Sequence, residues 1–295
     1  MPQVCSYLTE GADGAGLEHV VRVEHLWKDD HVDALSHLMQ RYCFAYTATH
    51  DFSVADEIMA DDYTFYMGEH VFTGREEAYK PAAERQFKAY PGLGFTVHDF
   101  FSNGDRCAMY FSEFGYAAQQ QAFTAWHGVS LYRWNGSQLT ECRIEQDYYG
   151  RRRQLSSKVA DPISMPGYAP WTHPVCSADP KSEQIVSDWL TDGGLLKSAI
   201  GSLDDEAIAP QIARVLLSDE KVQVRDIMTA GNRVAFQVRL EGFYASGLRE
   251  LKGREGEPAS LNATGIADIE DGVVSRVRAV TDRYSMERRM LAATK

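Results

Sequence analysis

Two stretches of this 295-residue chain share one pattern and decide its fold: HDFFSNGDRCAMYFSEFGY at residues 98–116 and RDIMTAGNRVAFQVRLEGFY at residues 225–244. Each has the pattern of a β-strand, a polar turn with glycine, and a second strand. A further pair follows, with HGVSLYRWNGSQLTECRIEQDYYGRRRQL at 127–155 and TGIADIEDGVVSRVRAVTDRYSMERRM at 264–290. Two similar supersecondary patterns at this separation predict that one domain is duplicated.

Helical patterns precede the strands in both halves. The stretch 30–51 repeats apolar residues at three- and four-residue steps, which predicts an amphipathic helix, and shorter helices are predicted at 52–62 and 75–90. In the second half, 188–200 and 204–217 have the same character. Helices followed by an antiparallel meander predict an α+β fold, with the helices packed on one face of a curved sheet.

Prolines mark the boundary between the halves. Five of the ten prolines lie in DPISMPGYAPWTHPVCSADP at 161–180, which predicts an extended linker. Trp171 and Tyr168 indicate that this linker packs on a surface. The last strand of each half is predicted at 139–150 and 273–284. We therefore expect an N-terminal arm at 1–24, a first domain at 25–158, a linker at 159–180 and a second domain at 181–295.

Composition excludes several classes of function. Lys and Arg total 30 and Asp and Glu total 42, so the formal charge of −12 disfavours binding to nucleic acid. No run of about 18 apolar residues exists, so no membrane span is predicted. The N-terminus lacks a signal-peptide pattern, and five scattered cysteines without a CxxC or Cys/His cluster indicate neither a disulfide framework nor a metal site. A cytoplasmic location is expected.

Both halves resemble the SnoaL-like polyketide cyclases of the nuclear transport factor two-like superfamily, which includes ketosteroid isomerases, scytalone dehydratase and limonene epoxide hydrolase. In the first half the resemblance lies in ADDYTFYMGEHVFTGREEA, FTVHDFFSNGDR, HGVSLYRWNGSQLTE and the tail DYYGRRRQL. In the second half it lies in GNRVAFQVRLEG, NATGIADIEDGVVSRVRAVTD and the shorter tail RYSMERRM. The resemblance is specific for fold and weak for activity, since this fold hosts many chemistries.

The resemblance implies two tandem cone-shaped domains, each a curved, mostly antiparallel sheet wrapped by helices around an apolar pocket. A tandem chain of this kind can imitate, within one polypeptide, the sheet-to-sheet dimer common in the family. Family enzymes usually work without a cofactor, so none is expected here. Whether the chain also forms a homo-oligomer stays open.

The catalytic pair of the cyclases is absent at the matching positions. The resemblance places their His at Ser130 and their Asp at Ile144, and Ile144 cannot move a proton. The base of the ketosteroid isomerases matches a position near Tyr66 or Met67, where no carboxylate stands. In the second half the two cyclase positions are Ala267 and Ala279, so that half is expected to be catalytically empty.

Asp51 and two tyrosines are the first catalytic candidates. Asp51 matches the end of the first helix, where the dehydratase-like branch carries an essential Asp. It is also a suitable N-cap for the following helix, and both interpretations stay open. Tyr42 and Tyr46 lie four residues apart on the apolar helix face and can donate to a developing oxyanion, or they are core aromatics.

Two histidines are further candidates, because an imidazole exchanges a proton near neutral pH. Strict alternation from Ser130 turns His127 away from the pocket, unless Gly128 marks a bulge. The phase of His98 on its strand is not fixed by the sequence. A structural or surface role is the alternative for either residue.

A smaller group of residues is predicted to bind the substrate: Tyr66, Trp126, Ser130, Tyr132, Ile144 and Gln146. Their aromatic rings and hydroxyls suit a hydrophobic, aromatic small molecule, such as a lignin-derived diaryl compound or a polyketide. The sequence thus predicts a lyase, dehydratase or isomerase working by acid–base chemistry in the first domain. A non-catalytic binding protein, a polyketide cyclase and an enzyme resembling the epoxide hydrolases are the alternatives.

Overall fold

A computed structural model describes residues 32–206, 214 and 216–293. The first half is built on a six-stranded sheet in the order β2-β1-β6-β5-β4-β3. Its pairs are antiparallel except for β1 and β6, which run parallel. The strands are β1 Met59–Met67, β2 His70–Thr73, β3 Gly94–Ser102, β4 Arg106–Ala117, β5 Ala122–Trp134 and β6 Leu139–Gln146.

The helices of the first half lie where the sequence predicts them. Helix α1 (Ala34–Gln40) continues as a π-helical segment at Arg41–Thr47, and α2 spans Phe52–Ile58. A π-helical turn at Arg75–Tyr79 leads into α3 (Lys80–Ala89). Leu35, Met39 and Tyr42 bury the apolar face of the first helix in the core. This packing, rather than intrinsic propensity, stabilises so short a helix.

The second half has the same plan. Its sheet has the order β7-β11-β10-β9-β8, and its single parallel pair is β7 with β11. The strands are β7 Gly201–Leu203, β8 Leu216–Ala230, β9 Arg233–Ser246, β10 Pro258–Glu270 and β11 Val273–Thr281. Helices α5 (Pro180–Thr191) and α6 (Gly194–Lys197) precede the sheet, and α7 (Arg283–Ala292) follows it. The common strand order confirms the duplicated α+β fold.

In each half the last strand ends earlier than the sequence predicts, at Gln146 and at Thr281. The tail after β6 is helix α4 (Tyr148–Ser157), because the Asp147 side chain accepts a hydrogen bond from the Gly150 amide and caps it. The tail after β11 likewise becomes α7. Of the helix predicted at 204–217, residues 207–213 and 215 lie outside the described residues, 204–206 form a turn, and β8 begins at Leu216.

The linker packs on the first sheet, as predicted. Trp171 is buried against Phe100, whereas Tyr168 is 97% exposed, so the prediction is wrong for that residue. The Gly167 amide donates to the Val97 carbonyl and anchors the segment along β3.

The two sheets pack face to face, as expected for an imitation of a dimer. Their contact includes an apolar cluster to which both halves contribute, with Val129 and Leu131 from the first and Ala235 and Ile266 from the second. Ion pairs border it: Arg106 and Arg133 both contact Asp226, and Arg233 contacts Asp99. At the start of α7, the buried Arg283 contacts Asp147, Asp204 and Asp205.

Candidate functional site

A small aromatic cavity lies in the first half, between the inner face of its sheet and the helical segments at 41–47 and 75–89. It has a volume of about 110 Å³ and is lined by five phenylalanine and five tyrosine side chains, together with one carboxyl group, that of Glu113. A cavity of about 150 Å³ binds benzene in another protein. This cavity is smaller than that, so its enclosed part has room for one ring at most.

Strand alternation sets which side chains reach the cavity. On β4, Phe111 and Glu113 point inward, while Ser112 between them points to the opposite face. On β5 and β6, Tyr132, Ile144 and Gln146 line the cavity. The β4–β5 register has no shift, so Gly128 makes no bulge there. Its hydrogen side chain instead leaves room for the Phe111 ring, since a Cβ at Gly128 would lie 2.3 Å from that ring.

Glu113 is the central polar group of the site. Only 6% of the residue is exposed, and its Oε2 accepts a hydrogen bond from Gln86 Nε2 at 2.6 Å. Burial raises the pKa of Glu113 from 4.5 to about 7, and the charge of Arg151 and hydrogen bonds from neighbouring side chains oppose this rise only in part. A carboxyl group with this pKa can both donate and accept a proton at neutral pH.

Two tyrosine hydroxyls in the same cavity have no hydrogen-bond partner. Tyr46 and Tyr132 bury their OH groups, and neither OH makes a hydrogen bond of good geometry to a described residue, although the Tyr79 and Ser130 hydroxyls lie close enough to influence the pKa values of Tyr46 and Tyr132, respectively. Burial raises the pKa of Tyr46, and Tyr79 and Glu113 add to the effect, so its hydroxyl stays protonated and able to donate. Buried hydroxyls are usually paired, and these two therefore point to a polar group on a ligand.

Gln146 is held in place by Trp126. The indole Nε1 donates to Gln146 Oε1 at 2.8 Å, which leaves the amide NH₂ of Gln146 as a donor on the cavity side. Trp126 itself does not line the cavity and stacks behind it against Tyr90. It therefore positions Gln146 instead of contacting a ligand.

The structure thus brings five sequence-predicted residues into the cavity lining: Tyr42, Tyr46, Tyr132, Ile144 and Gln146. Ser130 lies on the same sheet face, fully buried and with an unpartnered hydroxyl, but outside the lining. Tyr66 points to the opposite face, where the Arg143 guanidinium lies 4.0 Å from its ring centroid. Its neighbours Phe65 and Met67 face the cavity instead.

Asp51 lies at the exposed N-terminus of α2. Its carboxylate accepts hydrogen bonds from the Ser53 amide at 2.9 Å and the Ser53 hydroxyl at 2.6 Å, and these bonds lower its pKa. The geometry is that of an N-cap, and Asp51 is not part of the cavity lining.

His98 and His127 lie together on the other face of the sheet. Ser112 Oγ is 2.7 Å from His98 Nε2 and 3.0 Å from His127 Nδ1, and His98 Nδ1 is 2.9 Å from the Met165 carbonyl. Because a carbonyl only accepts, His98 carries its proton on Nδ1 and accepts from Ser112. Burial lowers both pKa values, that of His127 to about 4, so both rings are neutral at pH 7. His98 thereby ties the linker to the sheet at Met165, and His127 contacts Ser112 and Tyr110 of β4.

Glu113 is not among the site residues that the sequence predicts. The resemblance directed attention to the strands now labelled β5 and β6, whereas Glu113 lies on β4. Alternation with Cys107, Met109 and Phe111, which all pack into the inner core, was the signal that could have found it. Burying a single carboxylate in the apolar run of β4 costs free energy. A carboxylate that is buried in spite of this cost is a candidate functional group.

The second half has no equivalent carboxyl. Glu113 pairs with Trp126 across β4 and β5, and Leu240 pairs with Leu261 across β9 and β10. The amide of Asp147 donates to the His127 carbonyl, and that of Asp282 to the Asn262 carbonyl, which fixes the same correspondence. Leu240 therefore stands where the first half has Glu113, and it is fully buried in an apolar core.

The register also corrects the alignment of the two repeats. The counterpart of Ser130 is Gly265, two residues before the predicted Ala267, since Ser130 pairs with Met109 and Gly265 with Phe236. A two-residue shift keeps every side chain on its face, so letter patterns cannot detect it. Ala279 remains the counterpart of Ile144.

Two further observations concern the described residues alone. Residues 32–206, 214 and 216–293 contain no group of three His, Cys, Asp or Glu placed to hold a metal ion. Within these ranges no helix has both the length and the apolar character that a membrane crossing requires.

The described residues form an α+β fold with two similar halves and an aromatic cavity in the first. Residues 39–142 match the SnoaL-like domain family, and the sheet of the second half repeats the strand order of the first. No curated protein matches the chain in sequence.

Solved structures similar to this chain include three candidate SnoaL-like polyketide cyclases. The one from Shewanella denitrificans OS-217 is 20% identical over 42% of this chain and 99% of its own, with a TM-score of 0.39. That from Shewanella putrefaciens CN-32 is 16% identical over 49% and 99%, with a TM-score of 0.41. That from Jannaschia sp. CCS1 is 17% identical over 41% and 90%, with a TM-score of 0.37.

Proposed function

We propose that the first half is an acid–base enzyme, a lyase, dehydratase or isomerase, acting on a hydrophobic small molecule with about one ring in the cavity. The observation that carries this proposal is Glu113, a buried carboxyl in an aromatic cavity whose pKa is raised to about 7. Such a group exchanges a proton with a substrate at neutral pH without a cofactor.

The neighbouring hydroxyls supply the second element of the chemistry. Removing a proton next to a carbonyl, or cleaving a bond beside one, places negative charge on an oxygen. The buried hydroxyls of Tyr46 and Tyr132 can donate to that oxygen. Glu113 would carry the proton, and the two tyrosines would stabilise the charge.

This proposal moves the base from Asp51 to Glu113. Asp51 keeps its capping role, while His98 holds the linker and His127 packs with Ser112 on the opposite face of the sheet. A single carboxyl in the lining does not provide the pair that an epoxide hydrolase of the polyether type requires. A diaryl substrate would have to extend through the mouth of the cavity, because the enclosed volume holds about one ring.

The test is a screen of monocyclic aryl ketones, hydroxy ketones and phenols for turnover, and for deuterium uptake from D₂O, read by mass spectrometry. The wild type should act on at least one compound, and Glu113→Gln should lower that rate at least a hundredfold. Glu84→Gln, an exposed carboxyl on α3, is the matched control. Ligand binding without turnover or exchange for every compound would favour the non-catalytic binding protein instead.

A further inference from the structure

The charge balance of the cavity indicates what kind of ligand it takes. The lining contains one carboxylic acid, Glu113, and no Lys, Arg or His. Among the described residues Glu113 forms no ion pair within 4 Å, and the side chains that donate hydrogen bonds to it, of which Gln86 is the first, are all neutral. A buried carboxylate is usually paired with a cation, so this site lacks the partner that its ionised form needs.

The groups that face Glu113 come from five neighbouring elements. They are Gln86 on α3, Tyr46 on the π-helical segment, Trp126 on β5, Gln146 on β6, and Tyr148 and Arg151 on α4. Arg151 is the only cation among them. Its guanidinium lies over the rings of Tyr148 and Trp126, 4.0 and 4.9 Å from their centroids, and outside the cavity lining.

The remaining walls also suit a positive charge. Ten aromatic side chains line the cavity, and aromatic faces attract ammonium groups, most strongly where water is excluded. The unpartnered hydroxyl oxygens of Tyr46 and Tyr132 can accept a hydrogen bond from N–H as well as donate one. The whole chain has a charge of −12, which attracts cations and repels anions at long range.

We propose that the cavity binds a small organic amine in its protonated form, with the ammonium group on Glu113 and an apolar body of about one ring among the aromatic side chains. This proposal rests on the proposed function, because it takes the same cavity as the ligand site. Binding the cation would hold Glu113 as a carboxylate, and therefore as a base.

The test compares benzylamine, benzyl alcohol and benzoate, which share a ring and differ in charge, by calorimetric titration of the full chain. Benzylamine should bind at least tenfold more tightly than benzyl alcohol at pH 8, and benzoate should not bind. An alkylamine stays protonated from pH 5 to 8, as lysine does, so benzylamine affinity should fall about tenfold per pH unit below the pKa of Glu113.

Glu113→Gln should abolish the preference for benzylamine, and Glu84→Gln should keep it. The pH series on the wild type tests the same point without a variant. Equal binding of benzyl alcohol and benzylamine, or a preference that survives Glu113→Gln, would overturn the amine proposal. If benzyl alcohol still binds and loses affinity in Tyr46→Phe, the proposed function stands without it. If none of the three compounds binds, the amine proposal fails, and the substrate screen alone decides the proposed function.

Discussion

Leu240 occupies in the second sheet the position that Glu113 occupies in the first, as the strand registers of the two halves show. The two residues have similar volume and opposite character. One fold therefore exists twice in this chain, once with an apolar core and once with a cavity that contains an ionisable group. Because the second half folds with Leu240 at this position, the fold itself does not require the carboxyl of Glu113.

Glu113 should make the protein less stable as pH rises. Its pKa is about 7 in the folded chain and 4.5 ordinarily, so the folded state binds more protons between these values. The contribution of Glu113 to the free energy of unfolding is then largest below about pH 4.5. It is lost as pH rises through 7, by about 3 kcal/mol in total. Glu113→Gln lacks this titration. Its free energy of unfolding in urea, relative to that of the wild type, should therefore rise by that amount between pH 4.5 and 8. A constant difference across this range would contradict the shifted pKa.

The hydroxyls of Tyr46 and Tyr132 should serve a ligand and not stability. Removing a buried hydroxyl that lacks a partner is neutral or stabilising, so Tyr46→Phe and Tyr132→Phe should not lower the melting temperature. Both should weaken ligand binding by about tenfold, the worth of one hydrogen bond. Tyr63→Phe is the control, because its hydroxyl is also buried and unpartnered but lies outside the cavity lining. Loss of binding in Tyr63→Phe as well would point to a general packing effect.

A methyl group at Gly128 should fill the cavity. The added Cβ would lie 2.3 Å from the Phe111 ring, which lines the cavity and would have to move. We expect Gly128→Ala to abolish ligand binding measured by calorimetry. Gly265→Ala is matched, since its Cβ would lie 2.4 Å from Phe236 in the filled core of the second half. It should lower the melting temperature by a comparable amount and leave binding intact, and equal loss of binding in both variants would refute the assignment of the cavity.

Arg283 should be needed for the stability of the whole chain. It is 2% exposed and contacts Asp147 of the first half and Asp204 and Asp205 of the second. Truncation leaves buried carboxylates without a cation, which typically costs 3–5 kcal/mol, so Arg283→Ala should lose about 4 kcal/mol in urea unfolding. Arg288→Ala, an exposed site one helical turn away, should change stability by less than about 0.5 kcal/mol. A small effect at Arg283 would show that the two halves do not depend on this cluster.

Sequence patterns predicted most of the fold because strand and helix periodicities are local. Alternation from Ser130 predicts Tyr132 and Gln146 on the cavity side and His127 on the opposite face. The unshifted β4–β5 register and the cavity lining agree with this. His98 could not be placed, because the β3–β4 register shifts between Val97 and Asp99 and a bulge resets the alternation. Alternation along β4 indicates that Glu113 faces the core, but its raised pKa depends on tertiary burial by other elements, which no local pattern encodes.

The central claim is that Glu113 exchanges its proton near neutral pH inside the cavity. The most direct measurement is a carbon NMR titration of the glutamate side-chain carboxyls, with the Glu113 resonance identified by its absence in Glu113→Gln. We predict a midpoint near pH 7, clearly separated from the exposed glutamates. A midpoint near the ordinary value of 4.5 would contradict the account.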